Sequence, residues 1–547
     1  MTEQVASQTM RAAARTTRPA VRVHGVSKRF VLPHERAETV RERILHPRGR
    51  PEPVALHALR DVSFEVPPGE FVAIVGRNGS GKSTLLRCMA GIYTVDSGRV
   101  ALDGRVAPFI ELGVGFHPDL PARENLVTSG VMLGLAAREV RRRTPEVLRF
   151  GQLEGFEGLK LRNYSSGMAL RLAFSLTIHV DADVLLFDEV IAVGDVGFQE
   201  RCFERFEQLQ AEGRTLVLVT HDMDAVRRLC DRAILLHHGE LVADGDPESV
   251  TAEYERLNTE AVGPPRTLPG KPPRRADGHR RPAWPDWRRL VTVTARLAAV
   301  EFRLKYLDTK LGYFWAVLRP LLTFAVLYLV FTKVANFDAG VPNYALYLLT
   351  TLVLWMFFLD ATTSGVFALV ADADLVRKLP VPRAAVPLSV VVRALLDLGM
   401  NLIAVVVLAI AIGAPLGVGW LVLPLLIALL ALLGAGIALL VSSLYVRFRD
   451  VDQIWAVLAQ LMFYGSPILY AITTLPASAR APMTIANPLA AIFTEMRHAV
   501  VDPAAPTAAS MAGGGAWLLV PIAICIACLV VGSVVFGRLA PQAAERL

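Results

Sequence analysis

The stretch "GRNGSGKST", Gly76 to Thr84, has the residue types and spacing of a loop that holds phosphate groups. It fits the pattern G-x-x-x-x-G-K-[ST], follows the apolar run "FVAIV" and precedes a helical pattern. In such a loop glycines let successive backbone N–H groups surround the phosphates, while Lys82 reaches the β- and γ-phosphates and Ser83 gives a hydroxyl to Mg²⁺. The expected phosphate-binding residues are Gly76, Asn78, Gly79, Ser80, Gly81, Lys82, Ser83 and Thr84.

Two adjacent acids end a second apolar run, "VLLFDE". A buried strand would bring Asp188 to the metal ion, and Glu189 would polarise the attacking water. Two acids at a strand end can also cap a helix, but the phosphate loop in the same chain favours a hydrolytic site. The sequence therefore predicts ATP and Mg²⁺ as ligands and ATP hydrolysis as the reaction.

The elements around these residues alternate between short apolar runs and longer helical patterns, from Val21 to about Asn258. This alternation predicts an α/β domain with a largely parallel sheet. Residues 1–20 have no apolar core and are interpreted as a disordered tail rather than a transit peptide. Residues 259–290 contain too much proline, glycine and arginine to pack, and they are interpreted as a linker.

The composition requires a second, different domain. Of the 547 residues 53% are hydrophobic and 20% charged, which is too apolar for an ordinary soluble protein and too charged for a protein that lies wholly in a membrane. Residues 291–547 contain successive apolar runs of membrane-spanning length and predict an all-α domain. Much of the formal charge of +7 is concentrated in the linker rather than on a face with interleaved aromatics, which favours anionic membrane lipid over nucleic acid as the partner.

Six membrane spans are predicted in this domain, and an amphipathic interfacial helix is predicted before them, with Leu297, Val300 and Leu304 on its apolar face. The predicted spans are 318–335, 344–370, 385–412, 418–445, 452–472 and 515–537. The loops after the second and fourth spans are basic, which places them and the N-terminal domain in the cytosol. Between the last two spans, short re-entrant or interfacial helices are expected on the outer side, because Glu495, Arg497 and His498 are too polar for lipid.

With these features in place, residues 21–258 resemble the nucleotide-binding domain of ATP-binding cassette (ABC) transporters. "YSSGM" occupies the position of the family signature L-S-G-G-Q, in which Ser165 and Gly167 match and Ser166 does not. A serine hydroxyl and an unhindered N–H at a helix start can both reach a γ-phosphate, so Ser165, Ser166 and Gly167 are expected at the nucleotide. In this family the signature lies away from its own phosphate loop. The resemblance therefore implies a homodimer that binds each ATP between two copies.

The same resemblance implies roles for four further residues. His221 in "LVLVTHD" matches the histidine that contacts the γ-phosphate, and Asp195 in "AVGD" matches a residue that links the two sites. Phe30 is the expected aromatic beneath adenine. Glu111 stands where the family has a glutamine that senses Mg²⁺; a carboxylate can still ligate the metal, but its charge repels triphosphate, which predicts slow turnover or a reshaped coupling loop.

A narrower resemblance concerns the cargo. "ELGVGFHPDLPARENL", "YSSGMALRLAF" and "DEVIAVGDVGFQERC" resemble the ATPases of bacterial polysaccharide exporters, and "RKLPVPRAAVPLS", "LYVRFRDV" and "NPLAAIFTEMRHAV" resemble their six-span permease. This implies ATP-driven export of a lipid-linked polysaccharide across the bacterial cytoplasmic membrane, namely a polyprenyl-pyrophosphate-linked O-antigen, teichoic acid, galactan or similar glycan. Two alternatives stay open: an exporter of a small amphipathic drug or lipid, and an ATP-driven membrane switch without translocation.

Charged residues lie inside the predicted spans. Asp360, Arg393 and Asp397 lie at positions where each charge costs about 2.5–3.5 kcal/mol on insertion scales. Arg393 and Asp397 are four residues apart on one helix and could neutralise each other. The alternative interpretation is a polar lining for sugar hydroxyls or pyrophosphate.

Overall fold

A computed structural model describes most of the chain. The described residues are 18–32, 54–110, 115–189, 196–259, 267–269, 287–307, 312, 314–334, 341–414 and 417–546. Their contacts divide them into two units. The first contains the residues up to Arg289 together with Ala373–Val381, and the second contains Leu290–Asp372 and the residues from Pro382 onward.

The first unit is an α/β domain, as expected, and it is built on two sheets. Its strands are β1 Val21–Leu32, β2 Val54–Val66, β3 Phe71–Val75, β4 Ser97–Leu102, β5 Val106–Phe109, β6 Val184–Asp188, β7 Thr215–Val219, β8 Arg232–His237, β9 Glu240–Gly245 and β10 Thr267–Pro269. One sheet has the order β5-β6-β7-β3-β8-β9. All its neighbouring strands are parallel except β8 and β9. This sheet confirms the predicted parallel arrangement.

The second sheet of this unit is antiparallel, with the order β10-β2-β1-β4, and the sequence did not predict it. Strand β10 lies inside the predicted linker 259–290 and pairs with Val54–Leu56 of β2. An edge strand has backbone N–H and C=O groups without partners, and a short added strand satisfies them. The prediction of an unstructured linker is therefore wrong for Thr267–Pro269.

Helices connect the strands of the first unit. They are α1 Lys82–Met89, α2 Ala122–Met132, α3 Ala137–Gly151, α4 Ser166–Ile178, α5 Val196–Ala211, α6 Met223–Leu229 and α7 Pro247–Thr259. At the start of helix α7, the Asp246 carboxylate accepts hydrogen bonds from the N–H groups of Glu248 and Ser249. A short 3₁₀ turn, Leu161–Asn163, precedes α4.

A cluster of phenylalanines fixes α4 against the sheet. Phe174 of α4 is buried, and its ring centroid lies 5.7 Å from that of Phe109 on β5 and 6.1 Å from that of Phe187 on β6. It also contacts Phe198 and Phe206 of α5, at 6.0 and 5.9 Å. Edge-on and tilted ring pairs of this kind stabilise a core beyond their buried area. The helix that begins after Ser165 is thereby held against the strand that ends at Asp188.

The second unit is all-α, as predicted. Its helices, with α11 of the first unit placed in chain order, are α8 Trp287–Leu307, α9 Phe314–Leu329, α10 Tyr344–Ala371, α11 Ala373–Lys378, α12 Ala385–Ala411, α13 Leu423–Tyr445, α14 Val451–Tyr464, α15 Ala477–Ala486, α16 Pro488–Met496, α17 Ala508–Met511, α18 Leu519–Leu539 and α19 Ala543–Arg546. Turns of π type, Val330–Val334 and Arg497–Val501, follow α9 and α16. Turns of 3₁₀ type, Val418–Val422 and Gly515–Leu518, precede α13 and α18, and others lie at Ile472–Thr474 and Ala540–Gln542.

Five helical segments within the described residues are long and apolar enough to cross a membrane. They are Phe314–Val334, Tyr344–Ala371, Ala385–Ala411, Val418–Tyr445 and Gly515–Gln542, and they match five of the six predicted spans. The predicted span 452–472 is wrong in its second half, because α14 ends at Tyr464. Gly465 ends that helix, and Pro467 lacks the N–H group that a continued helix would need.

The non-helical residues after α14 are held by side chains of α10. The Tyr344 hydroxyl donates to the carbonyl of Leu469 at 2.9 Å, the Tyr347 hydroxyl to that of Tyr470 at 2.8 Å, and the Thr351 hydroxyl to that of Ile468 at 3.1 Å. Irregular backbone in a membrane domain is tolerated where protein groups satisfy it. These three donors give the segment a fixed conformation without a helix.

Two further expectations for this unit can be compared with the structure. The stretch after the fifth predicted span forms short helices, α15 to α17, as expected; their place on the outer side stays a prediction. The helix predicted at the membrane interface is α8, which begins at Trp287 and so starts inside the predicted linker. Its place at the interface stays a prediction. Leu297 of the predicted apolar face is buried, and so is Val293.

The expected pairing between Arg393 and Asp397 is wrong. Arg393 forms ion pairs with Glu301 and Asp360, whereas Asp397 pairs with Lys305. Both side chains reach from α12 to neighbouring helices instead of along their own helix. The cause is that opposite charges on α8 and α10 lie within reach of each.

Candidate nucleotide site

The phosphate loop joins a buried strand to a helix, as its motif predicts. Every residue of β3 is buried, and α1 begins at Lys82. Gly76 and Gly81 have φ values of 150° and 105°, which disfavour other residues. A Cβ atom at Gly76 would collide with the carbonyl oxygen of Leu236, and one at Gly81 with that of Ala58. Both glycines are therefore required by conformation and by space.

Lys82 is enclosed by this loop. Its Nζ donates to the carbonyl oxygens of Gly76 at 2.6 Å and of Arg77 at 3.0 Å, and the residue is only 5% exposed. Burial lowers the pKa of Lys82, while Glu189 and Asp188 act in the opposite direction. Within the described ranges Lys82 forms no ion pair, so its ammonium group is positioned for an anionic ligand.

Ser83 and Asp188 form the pair expected at the metal ion. The Ser83 hydroxyl donates to the Asp188 carboxylate at 3.3 Å, joining α1 to the end of β6. Burial raises the pKa of Asp188 to about 6, against the lowering effects of the Ser83 hydrogen bond and Arg87. A hydroxyl and a carboxylate oxygen are ligands that Mg²⁺ accepts. The neighbouring Ser80 hydroxyl is buried and has no hydrogen-bond partner in the described part of the chain. The residues therefore fit a magnesium nucleotide.

Glu189 and His221 lie at the ends of adjacent parallel strands. Asp188 is paired in register with Val219, so the residues after β6 and β7 meet at one edge of the sheet. The His221 Nδ1 is 3.7 Å from a Glu189 carboxylate oxygen, and both side chains are substantially exposed. Glu189 has a φ of 53°, a left-handed conformation that costs about 1–3 kcal/mol in a residue other than glycine. Such strain is common at functional sites, and no sequence signal predicts it.

The signature residues form the start of α4. The Ser165 hydroxyl accepts a hydrogen bond from the N–H of Met168 at 3.2 Å and so caps the helix. Ser165 and Ser166 are exposed, and a Cβ atom at Gly167 would meet nothing closer than the Ser165 hydroxyl at 3.9 Å. Among the described residues no hydrogen bond joins this helix start to the phosphate loop. The same chain therefore does not close its signature onto its own loop.

Phe30, the expected adenine-binding residue, is half-buried on β1 among groups that sequence reasoning missed. Its ring centroid is 5.5 Å from that of Tyr93, edge to face, and 5.4 Å from the Nζ of Lys28. Arg87 of α1 lies over the Tyr93 ring at 5.7 Å. These contacts connect Phe30 to the helix that follows the phosphate loop. Nothing in the sequence marks Tyr93 or Arg87, because neither belongs to a recognisable motif.

The remaining candidate residues lie in the phosphate loop, in α1 or outside the described residues. Asn78 and Gly79 lie in an exposed turn of the phosphate loop, and Thr84 lies in the first turn of α1. Glu111 and Asp195 lie outside the described residues, so their roles stay predictions.

Two family models match the chain, one in each domain. The model described as "ABC transporter" matches residues 59–192, and the model described as "ABC-2 type transporter" matches residues 293–501. The first match contains the phosphate loop, the signature residues, Asp188 and Glu189. The second contains most of α8 and the helices that follow it through α16.

Individual relatives match the first domain. An ABC transporter protein, AbcA, of Aeromonas salmonicida is 41% identical over 239 residues, which are 44% of this chain and 77% of that protein. An O-antigen export system ATP-binding protein, RfbB, of Klebsiella pneumoniae is 37% identical over 245 residues, 44% of this chain and 98% of that protein. A teichoic acids export ATP-binding protein, TagH, of Listeria innocua is 36% identical over 200 residues, 37% of this chain and 59% of that protein.

These matches agree with the geometry of the phosphate loop and the paired acids, and they extend to the helical domain that follows. The chain belongs to the ABC transporter family and joins an ATP-binding cassette to an ABC-2 type membrane domain in one polypeptide.

Proposed function

We propose that this transporter exports a lipid-linked polysaccharide across the bacterial cytoplasmic membrane and works as a homodimer. The observation that supports this most is a combination: the cassette matches 98% of an ATP-binding protein named for O-antigen export, and an ABC-2 type membrane domain follows it in the same chain. As a member of the family, the protein couples ATP hydrolysis to transport, and its cassette lies in the cytoplasm.

The residues around the phosphate loop account for ATP binding and hydrolysis. The backbone N–H groups of Gly79 to Ser83 and the Lys82 ammonium would hold the β- and γ-phosphates. Ser83 and Asp188 would hold Mg²⁺, which neutralises phosphate charge when bound. Glu189 would orient and polarise water for attack on the γ-phosphorus, and His221 would contact the γ-phosphate.

The homodimer is supported by the accessibility of the signature. Ser165 and the first turn of α4 have exposed backbone and hydroxyl groups at a helix N-terminus, where negative charge is favoured. Because no hydrogen bond joins them to the phosphate loop of the described chain, the proposed ligand of Ser165 is the nucleotide held by Lys82 of a second copy. Two such sites form in a symmetric dimer.

The class of cargo is supported by the relatives. RfbB of Klebsiella and TagH of Listeria are named for O-antigen and teichoic acids, two unlike polymers of the cell surface. The cargo that we propose for this transporter is a polymer chain attached to a lipid carrier. The proposal therefore specifies a lipid-linked polymer and leaves its sugars open.

The test is the stimulation of ATP hydrolysis by defined compounds. The purified full chain in lipid nanodiscs would be assayed with a polyprenyl-pyrophosphate-linked oligosaccharide, with polyprenyl pyrophosphate alone, and with a small amphiphilic dye. The proposal expects the strongest stimulation from the linked oligosaccharide. Stimulation by the dye alone would replace it with a drug or lipid exporter.

A cellular experiment distinguishes the proposed export from the remaining alternative, an ATP-driven membrane switch without translocation. Deletion of the gene should remove a surface polysaccharide, and the wild-type chain should restore it whereas a Glu189→Gln chain should not. Restoration by both chains would contradict export driven by hydrolysis.

A further inference from the structure

Five charged side chains that do not belong to the nucleotide site lie together in the second unit. Glu301 and Lys305 are on α8, Asp360 is on α10, and Arg393 and Asp397 are on α12. Arg393 and Asp397 are each only 9% exposed. The Lys305 and Asp360 side chains are 36% and 33% exposed. Burying the other charges is costly unless they are paired and hydrogen-bonded. We refer to these five residues as the charge network.

Each cation of the charge network bridges two carboxylates. The Arg393 guanidinium lies 3.5 Å from Glu301 and 3.3 Å from Asp360. The Lys305 ammonium lies 3.3 Å from Asp360 and 2.6 Å from Asp397. The contacts therefore form a chain that links three helices. Along this chain the charges alternate in sign, in the order Glu301, Arg393, Asp360, Lys305, Asp397.

Hydroxyl groups satisfy the remaining carboxylate oxygens. Ser389 donates to Glu301 at 2.8 Å, and Ser364 donates to Asp360 at 2.9 Å. Tyr306 donates to Asp397 at 2.6 Å. A buried ion pair offsets its desolvation cost only when additional hydrogen bonds of this kind are present. Each of the three helices contributes one hydroxyl, so all three helices donate hydrogen bonds to the carboxylates.

The balance of charge argues against a ligand site. Three carboxylates face two cations, and each cation already contacts two carboxylates. A pyrophosphate would meet a net negative cluster, which disfavours the sequence hypothesis that Arg393 lines a pyrophosphate path. Among the described residues no group of three or more acids, histidines or cysteines could hold a metal ion. The network instead fixes the positions of helices.

The position of α8 in the chain indicates why fixing this helix to α10 and α12 matters for transport. Helix α8 is the first described element after residues 270–286, which follow the cassette, and it precedes α9, the first span. Its other contacts include buried Val293 and Leu297, and apolar contacts resist sliding and rotation less specifically than charged ones. The charge network is the directional connection between α8 and the helices α10 and α12.

We infer that the charge network is the joint through which α8 passes the ATP-driven movement to α10 and α12, with Lys305 and Arg393 as positioning residues. The joint transmits force and takes no part in hydrolysis. This inference requires only ATP-coupled transport and does not depend on the cargo. Loss of either cation should uncouple the helices and leave the nucleotide site intact.

The test measures one distance in the full chain in nanodiscs by pulsed electron paramagnetic resonance. Spin labels at Val291 of α8 and Ile403 of α12, which are 57% and 64% exposed, report the separation of the two helices. Cys528, the cysteine that is only partly buried, would be replaced by alanine first. Each sample would be measured without nucleotide and with ATP and vanadate, and ATP hydrolysis would be assayed in parallel.

With Lys305 in place, a single narrow distance distribution should persist in both states, because the two helices move together. Lys305→Met should broaden or shift the distribution with ATP while the unstimulated rate of ATP hydrolysis stays at the wild-type value. Lys305→Arg, which keeps the charge, should behave as the wild type. Lys333→Met, at an exposed lysine after α9, is the matched control.

Two outcomes would overturn the inference. One is an ATP-dependent change of the distance in the wild type that equals the change in Lys305→Met. The other is a Lys305→Met distribution that stays narrow and does not shift between the two states. If Lys305→Met does not fold, Asp360→Asn removes the shared carboxylate while keeping its shape, and the same two outcomes apply to it.

Discussion

The nucleotide site and the charge network both bring lysine and carboxylates together, but they arrange them in opposite ways. In the nucleotide site, Lys82 donates only to backbone carbonyls, and Asp188 accepts only from the neutral Ser83 hydroxyl within the described ranges. In the charge network, the Lys305 ammonium contacts two carboxylates, those of Asp360 and Asp397.

This difference separates charges that act on a ligand from charges that hold helices. A lysine without a carboxylate partner gains more from an incoming phosphate, since no existing ion pair has to break. A lysine between two carboxylates has already gained that energy inside the protein. The two regions therefore predict opposite results for charge-removing substitutions: loss of ATP chemistry in one, and loss of mechanical connection in the other.

The largest expected effect is that of Glu189→Gln in the nucleotide site. It should lower the rate of ATP hydrolysis by about 100-fold or more, because a positioned general base contributes that much. Nucleotide binding, measured with a fluorescent ATP analogue, should be retained. Glu154→Gln, at an exposed glutamate of the same unit, should hydrolyse ATP normally. A nearly normal rate in Glu189→Gln would remove this residue from the reaction.

The second effect is that of Lys82→Ala on affinity. The substitution should raise the dissociation constant for Mg-ATP by about 10-fold to 100-fold, the value of a hydrogen bond to a charged group. Equilibrium binding on the purified chain measures it. Arg138→Ala, on the exposed face of α3, is the control. An unchanged affinity would mean that the ammonium group is committed to its carbonyl partners, and the contrast with Lys305 would fail.

A smaller effect is expected for Phe30→Ala. Loss of stacking on adenine should weaken ATP binding by about 1 kcal/mol, roughly fivefold, without affecting the binding of inorganic triphosphate. Phe156→Ala, at a phenylalanine that is 41% exposed, should bind both ligands normally. Equal weakening of ATP and triphosphate would show that Phe30 supports the fold rather than the base.

The smallest effect belongs to the charge network. Tyr306→Phe removes one neutral donor to Asp397 and should lower the free energy of unfolding by about 1 kcal/mol. Thermal unfolding in detergent would detect it, with Tyr328→Phe, a 37% exposed tyrosine, as the control. A variant as stable as the wild type would indicate that the carboxylates need no such donor.

The two regions also differ in how much the sequence reveals. The phosphate loop is one contiguous stretch between a strand and a helix, so its motif predicts both the conformation and Lys82, Ser83 and their neighbours. Asp188 follows an apolar strand and is equally visible. The left-handed conformation of Glu189 and the contact of Phe30 with Tyr93 were not predictable, because both arise from tertiary packing.

The charge network was only partly visible for the same reason. Sequence shows Asp360, Arg393 and Asp397 inside apolar helices, but their partners on α8 lie more than fifty residues away. Spacing on one helix suggested the pair Arg393 and Asp397, and the packing of three helices produced different pairs. The end of α14 at Tyr464 was missed similarly, because the donors that replace the helix come from α10.

The most direct test of the proposed homodimer combines Lys82→Ala and Ser165→Ala in two heterodimers, each of which contains one copy of each substitution. Two purified heterodimers, isolated by different tags, would carry the substitutions either on separate chains or together on one chain, and their rates of ATP hydrolysis would be compared. If each nucleotide lies between Lys82 of one copy and Ser165 of the other, separate substitutions leave one intact site and joint substitutions leave none. A higher rate in the dimer with separate substitutions is the predicted result, and a higher or equal rate in the dimer with joint substitutions would contradict it.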